Sequence, residues 1–159
     1  MADPTAGTDR RSTATRATRR TGLGSLLVAV AGLAVSAYLT VEHFTAGTTF
    51  ACPDTGAINC QKVTTSAWSH IGPIPVVLLG LVFFAVMAAL CSPPAWRVRS
   101  LVPVRVAGAV VGVLTAVGLI WIELFRVDAI CLWCTAVHVC TLALLATVLW
   151  TTTTLHPSA

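Results

Sequence analysis

Four apolar runs, each close to the roughly 20 residues that a helix needs to cross a bilayer, divide this chain and leave few folds open to it. The first lies between Arg20 and Glu42, and the second runs from about Pro75 to Ser92. The third sits between Arg105 and Glu123, extended by Val102, Pro103 and Val104 before it and by Leu124 and Phe125 after it; the fourth begins near Ala129 and ends around Trp150. With 56% of its residues hydrophobic and 10% charged, the chain lies outside the range of soluble globular proteins. The expectation is therefore an all-α integral membrane protein. Its four-transmembrane-helix bundle occupies residues 21–152, with spans at about 21–42, 75–92, 103–125 and 129–150.

Arginine placement orients the spans. Arg10, Arg11, Arg16, Arg19 and Arg20 precede the first, and Arg97, Arg99 and Arg105 surround the connection between the second and third, so both segments are expected in the cytoplasm. Arg105 is expected to snorkel toward the headgroups. Residues 1–20, rich in Thr, Ala and Arg, are read as a disordered basic cytoplasmic tail, and residues 153–159 as a second cytoplasmic tail. Ala34-Val35-Ser36-Ala37 offers small residues for signal cleavage, but the apolar run exceeds the usual length of a signal core, so it is read as a retained span. The loop of residues 43–74 and the turn at Arg126-Val127-Asp128 then face outward from a plasma membrane.

Two cysteine pairs fall on that outer, oxidising side, where disulfides persist. Cys131-Leu132-Trp133-Cys134 opens the fourth span, and Cys131, Cys134, Thr135 and His138 share one helical face that excludes Cys140. With Asp128 expected as N-cap, the pair would occupy a first helical turn, where free backbone N–H groups favour a thiolate. By the logic of thioredoxin-type pairs, Cys131 is the more exposed and meets thiols, whereas Cys134 meets a membrane-soluble cofactor. The competing reading of Cys131, Cys134 and His138 is a metal site. The loop pair, Cys52 and Cys60, is separated by seven residues rich in turn formers and can close a disulfide or exchange with a partner.

Cys52-x7-Cys60, then Ser66 and Trp68, then Cys131-x-x-Cys134 resemble the vitamin K epoxide reductase family, including its bacterial homologues. Ala37-Tyr38-Leu39-Thr40 and Ile74-Pro75 before Leu79-Gly80 support the likeness, which covers roughly residues 25–150. The resemblance implies four core helices around a quinone, capped by a partly helical extracytoplasmic loop. It assigns catalytic roles to Cys52, Cys60, Cys131 and Cys134: Cys52 would meet a reduced thioredoxin-fold, DsbA-like partner, Cys60 would attack Cys131, and Cys134 would face the quinone. Ser66 and Trp68 match family positions near the redox centre. Where the vertebrate branch places an Asn and a Tyr on the quinone carbonyls, this chain has Val76 and His138, and His138 can still donate from a ring nitrogen.

The function expected is a membrane thiol:quinone oxidoreductase. It would reoxidise a DsbA-like protein and reduce menaquinone or ubiquinone in support of disulfide formation. Alternatives are a non-catalytic tetraspan scaffold with a structural loop disulfide, or reduction of vitamin K quinone or epoxide. The DsbB family of membrane quinone reductases carries its two cysteine pairs in the opposite order. Cys91 and Cys140 are read as inert apolar side chains. Glu123 and Arg126, three residues apart, are expected to pair with each other, and Lys62 to be a solvated surface charge.

Overall fold

The computed structural model describes residues 5–45, 52 and 55–155, with side chains from residue 22 onward. Five helices account for most of it: α1 Thr5–Phe44, α2 Cys60–Thr64, α3 Val76–Leu90, α4 Val102–Ile122 and α5 Leu132–Leu155. Three helical stretches are long and apolar enough to cross a membrane, Gly22–Phe44, Arg99–Val127 and Leu132–Leu155. α3 is shorter. At 1.5 Å per residue its 15 residues cover about 22 Å, less than the roughly 30 Å of a hydrocarbon core, because the chain before Val76 forms a hairpin instead of a further helical turn. That hairpin pairs β1 (His70–Ile71) with β2 (Ile74–Pro75) through Gly72, which takes the positive φ of 62° that suits a residue without a Cβ.

α1 begins at Thr5, inside the stretch expected to be a disordered tail. Ala and Arg are strong helix formers, and extending an existing helix costs far less than starting one, so the helix continues outward from its apolar part. The tail expectation for residues 1–4 and 156–159 lies outside the described residues.

α1 packs against α3 and α5, and α4 packs against α5. The core common to these helices holds Ala29, Phe84, Met87, Cys91, Trp96, Ala109, Leu144 and Val148. Gly32 lets α1 approach α3 closely, since a Cβ there would fall on the ring of Phe84.

The bundle has two distinct ends. At one, Gly22 of α1 lies against Trp96, in the connection from α3 to α4. At the other, Tyr38 of α1 meets Trp133 of α5 with ring centroids 4.7 Å apart, and His43 meets His70 at 5.3 Å.

Arg105 differs from its expectation. It does not snorkel: it is fully buried, its Nε donates to the Leu90 carbonyl at 2.7 Å, its Nη2 donates to the Ala95 carbonyl, and its guanidinium lies 4.2 Å from the Trp96 ring centroid. The last turn of α3 leaves the Leu90 carbonyl without a helical partner, and the guanidinium satisfies it while stacking on an aromatic face.

Candidate redox site

The segment after residue 55 is organised by local bonds that end at Cys60. Asn59, in an extended conformation, caps α2 by accepting the Lys62 N–H on its side chain at 2.8 Å, and Cys60 is the first residue of the helix. Within that first turn the Thr64 hydroxyl donates back to the Cys60 carbonyl at 2.9 Å. Cys52 and Cys60 are joined as a disulfide, and Cys60 is buried.

The loop is then tied to the head of α5. Ile58 and Ile130 form a parallel bridge, the Ile130 N–H donating to the Ala57 carbonyl at 2.9 Å and the Asn59 N–H to the Ile130 carbonyl at 3.1 Å. Each strand of this bridge leads directly into a buried cysteine, Cys60 on one side and Cys131 on the other. Lys62 adds a third tie, its Nζ donating to the Asp128 carbonyl at 3.2 Å, so it is not simply a solvated charge.

Asp128 does not cap the C-x-x-C helix. It sits in the left-handed region at φ 51° and ends a π-helical turn, Glu123–Val127, that follows α4. Asp tolerates that conformation better than most residues, and the chain reverses there. The capping position falls instead on Cys131 itself. Its carbonyl accepts the Thr135 N–H at 2.9 Å, and its Sγ accepts the Cys134 N–H at 3.2 Å, so sulfur stands where a serine or aspartate oxygen usually does. A backbone donor aimed at sulfur at a helix N-terminus favours the thiolate form.

Exposure reverses the expected order within the pair: Cys131 is fully buried and Cys134 is half-buried. The loop segment of residues 57–60 covers Cys131, which explains the difference. Cys131 and Cys134 are both free thiols and contact each other through their side chains.

His138 lies one turn further along α5, on the buried stripe that continues through Thr141 and Leu144. It is 5% exposed and makes no hydrogen bond to another described residue. Cys131, Cys134 and His138 do not form a cluster able to hold a metal ion among the described residues. Ser66 is half-buried and donates to the Val63 carbonyl at 2.8 Å. Trp68 is largely exposed, and Val76 is the half-buried first residue of α3.

Glu123 is the site residue that sequence spacing misassigned. In place of an ion pair with Arg126, its side chain is buried beside Cys131 and Cys134. Arg126 turns outward, 5.4 Å from the Trp68 ring centroid and 5.7 Å from that of Trp121. The wider i→i+5 winding of the π turn rotates two residues three apart away from a common face, which defeats the α-helical pairing rule. An acidic residue at the edge of a long apolar stretch was the available signal.

Two cysteine pairs thus meet through a backbone bridge at one end of an apolar bundle. The model of the vitamin K epoxide reductase family matches residues 24–149. The chain belongs to that family. No curated protein matches it. Membership makes it a membrane oxidoreductase of the thiol and quinone type, with a disulfide-capable cysteine pair beside its membrane helices.

Proposed function

We propose that this family member reoxidises a thioredoxin-fold, DsbA-like partner through Cys52 and Cys60 and delivers the electrons through Cys131 and Cys134 to menaquinone or ubiquinone. The observation that carries this reading is the bridge between residues 57–59 and Ile130, which sets the Cys52–Cys60 disulfide beside Cys131. In the same reading α3 completes a fourth span, both termini are cytoplasmic and the cysteines face the oxidising side. The arginine distribution supports that orientation, as does the grouping of Trp96 with the start of the apolar part of α1 at the opposite end.

The relay follows from disulfide exchange. The partner's thiolate attacks Cys52, and after the partner disulfide closes, Cys52 and Cys60 are left as thiols. The Cys60 thiolate then attacks Cys131 of the Cys131–Cys134 disulfide, with Cys134 as leaving thiolate, and Cys52 resolves the Cys60–Cys131 intermediate. A quinone supplies an acceptor for two electrons and two protons. Cys134, half-buried, and His138, a buried ring with no hydrogen bond to another described residue, fit such a group, the imidazole as a donor to a carbonyl oxygen. Ser66, Val76 and Trp68 complete the pocket in this reading, from the segment that leads into α3.

The test is turnover of purified protein in detergent with a short-chain quinone and a reduced thioredoxin-fold protein, followed by quinone absorbance. Loss of turnover with Cys131→Ser and Cys134→Ser is expected. Cys52→Ser and Cys60→Ser are expected to lose turnover with the protein substrate only, retaining it when dithiothreitol reduces the helix pair directly. Full turnover by Cys134→Ser would defeat the assignment.

A further inference from the structure

We propose that His43 and His70 form a two-histidine site for a divalent transition-metal ion such as zinc, and that the ion joins the end of α1 to the β1–β2 hairpin. The site lies apart from the four cysteines of the redox reading and does not depend on it.

The two rings come from segments far apart in the chain. His43 stands in the last turn of α1, and His70 opens β1. Their ring centroids are 5.3 Å apart and their planes are tilted by 56°, so the rings are neighbours without being stacked face to face. Zinc sits about 2 Å from an imidazole nitrogen, which puts the centroids of two rings on one tetrahedral ion about 5 Å apart. The observed spacing matches that requirement. The outer torsion of a histidine side chain is soft, so the rings can turn their nitrogens to a shared point while the backbone stays in place.

The surroundings leave nitrogens available. Ser69 Oγ lies 2.9 Å from His70 Nδ1. A polar partner on one ring nitrogen fixes the ring and leaves Nε2 for a metal, the arrangement usual around metal-ligating histidines. His43 makes no hydrogen bond to another described residue, and Phe44 meets its ring edge-on. His43 is half-buried and His70 is exposed, so a hydrated ion can reach both.

The donor set decides the class of ion. Imidazole suits zinc, copper and nickel, whereas magnesium and calcium prefer oxygen ligands. Among the described residues no third His, Cys, Asp or Glu completes the set, so water fills the remaining positions and the ion is held less tightly than in a four-ligand structural site. Its effect is that of a staple. Each strand of the hairpin has two residues, a marginal structure by itself, and the chain passes directly from β2 into α3 at Val76. An ion that binds only the assembled arrangement stabilises it, so bound zinc holds the hairpin, and with it the start of α3, against α1.

Hydrogen exchange read by mass spectrometry on the full-length protein in detergent gives the first test. Zinc is expected to slow exchange in the peptides that carry His43 and residues 70–75, and magnesium at the same concentration is expected to have no effect. Isothermal titration with zinc gives the second. Thiols bind zinc as well, so every preparation is first oxidised with diamide, and the comparison is between proteins that differ only at the two histidines. The wild type is expected to bind zinc more than about tenfold more tightly than either His43→Ala or His70→Ala. The double variant is expected to be no weaker than the single ones, because either removal already breaks the chelate. Equal affinity in wild type and double variant, losses that add in the double variant, or protection given alike by zinc and magnesium would overturn the inference. No quinone or partner protein enters these measurements, so they stand whatever the turnover assay returns.

Discussion

At one end of the bundle Arg105 buries a guanidinium against the carbonyls of Leu90 and Ala95 and the face of Trp96, whereas at the other Glu123 buries an acidic side chain beside Cys131 and Cys134. Both residues meet the same problem, a charge removed from water inside a membrane protein. Their partners differ in kind. Backbone carbonyls keep their character through any reaction, so the Arg105 end is a fixed latch joining α3 to α4. A thiol loses its proton when it is oxidised, so in the proposed relay the surroundings of Glu123 would change with every turnover. The lesson is that a buried charge becomes part of the chemistry when its compensating group can itself react.

The sharpest way to break this contrast is Cys134→Ser. Quinone-dependent turnover is expected to fall to background, measured by quinone absorbance, while the fold and the Cys52–Cys60 disulfide persist. A serine hydroxyl also offers Glu123 a donor, so loss of activity without loss of stability would mark that end as chemical.

Arg105→Ala should do the reverse. Removing the guanidinium strands the Leu90 carbonyl, takes one of two donors from the Ala95 carbonyl and leaves space beside Trp96, and a loss of about 3 kcal/mol is expected from the unsatisfied buried polar group and lost packing. Denaturant unfolding in detergent reads it, and turnover per folded molecule is expected to be unchanged. If activity fell while stability held, the two ends would not divide as described.

A smaller effect belongs to Asn59, which caps α2 and donates its own N–H to Ile130. Asn59→Ala is expected to cost about 1 kcal/mol through loss of the cap. The movement of electrons from the loop pair to the helix pair should slow, while oxidation of a chemically reduced Cys131 and Cys134 proceeds at the wild-type rate. Stopped-flow measurement of each half-reaction separates these outcomes.

Arg126→Ala should matter least. Its guanidinium lies over exposed Trp68 and near Trp121, contacts worth less than about 1 kcal/mol, and it gives Glu123 nothing to lose. Unchanged stability and turnover are expected, and a loss of both would restore the ion pair that helical spacing suggests.

Much of this molecule was legible in the chain itself. Long apolar runs must become helices in a bilayer, because backbone groups have no other partners there, and this determined the membrane class without reference to any contact. The two cysteine pairs, with Ser66 and Trp68 between them, resemble the vitamin K epoxide reductase pattern, and the family match over residues 24–149 agrees. Local rules failed where the answer depended on distant segments or on irregular backbone. Asp128 looked like an N-cap, but its left-handed conformation leaves that role to Cys131. Glu123 and Arg126 looked like a helical pair, but a π turn parted them. Arg105 looked like a headgroup anchor until the end of α3 supplied carbonyls, and Cys131 looked exposed until residues 57–59 folded over it. Hydropathy and spacing act along the chain, so sequence alone determines them. Which group satisfies a buried charge, and which sulfur is covered, depends on what the fold brings alongside, and only the tertiary structure decides that.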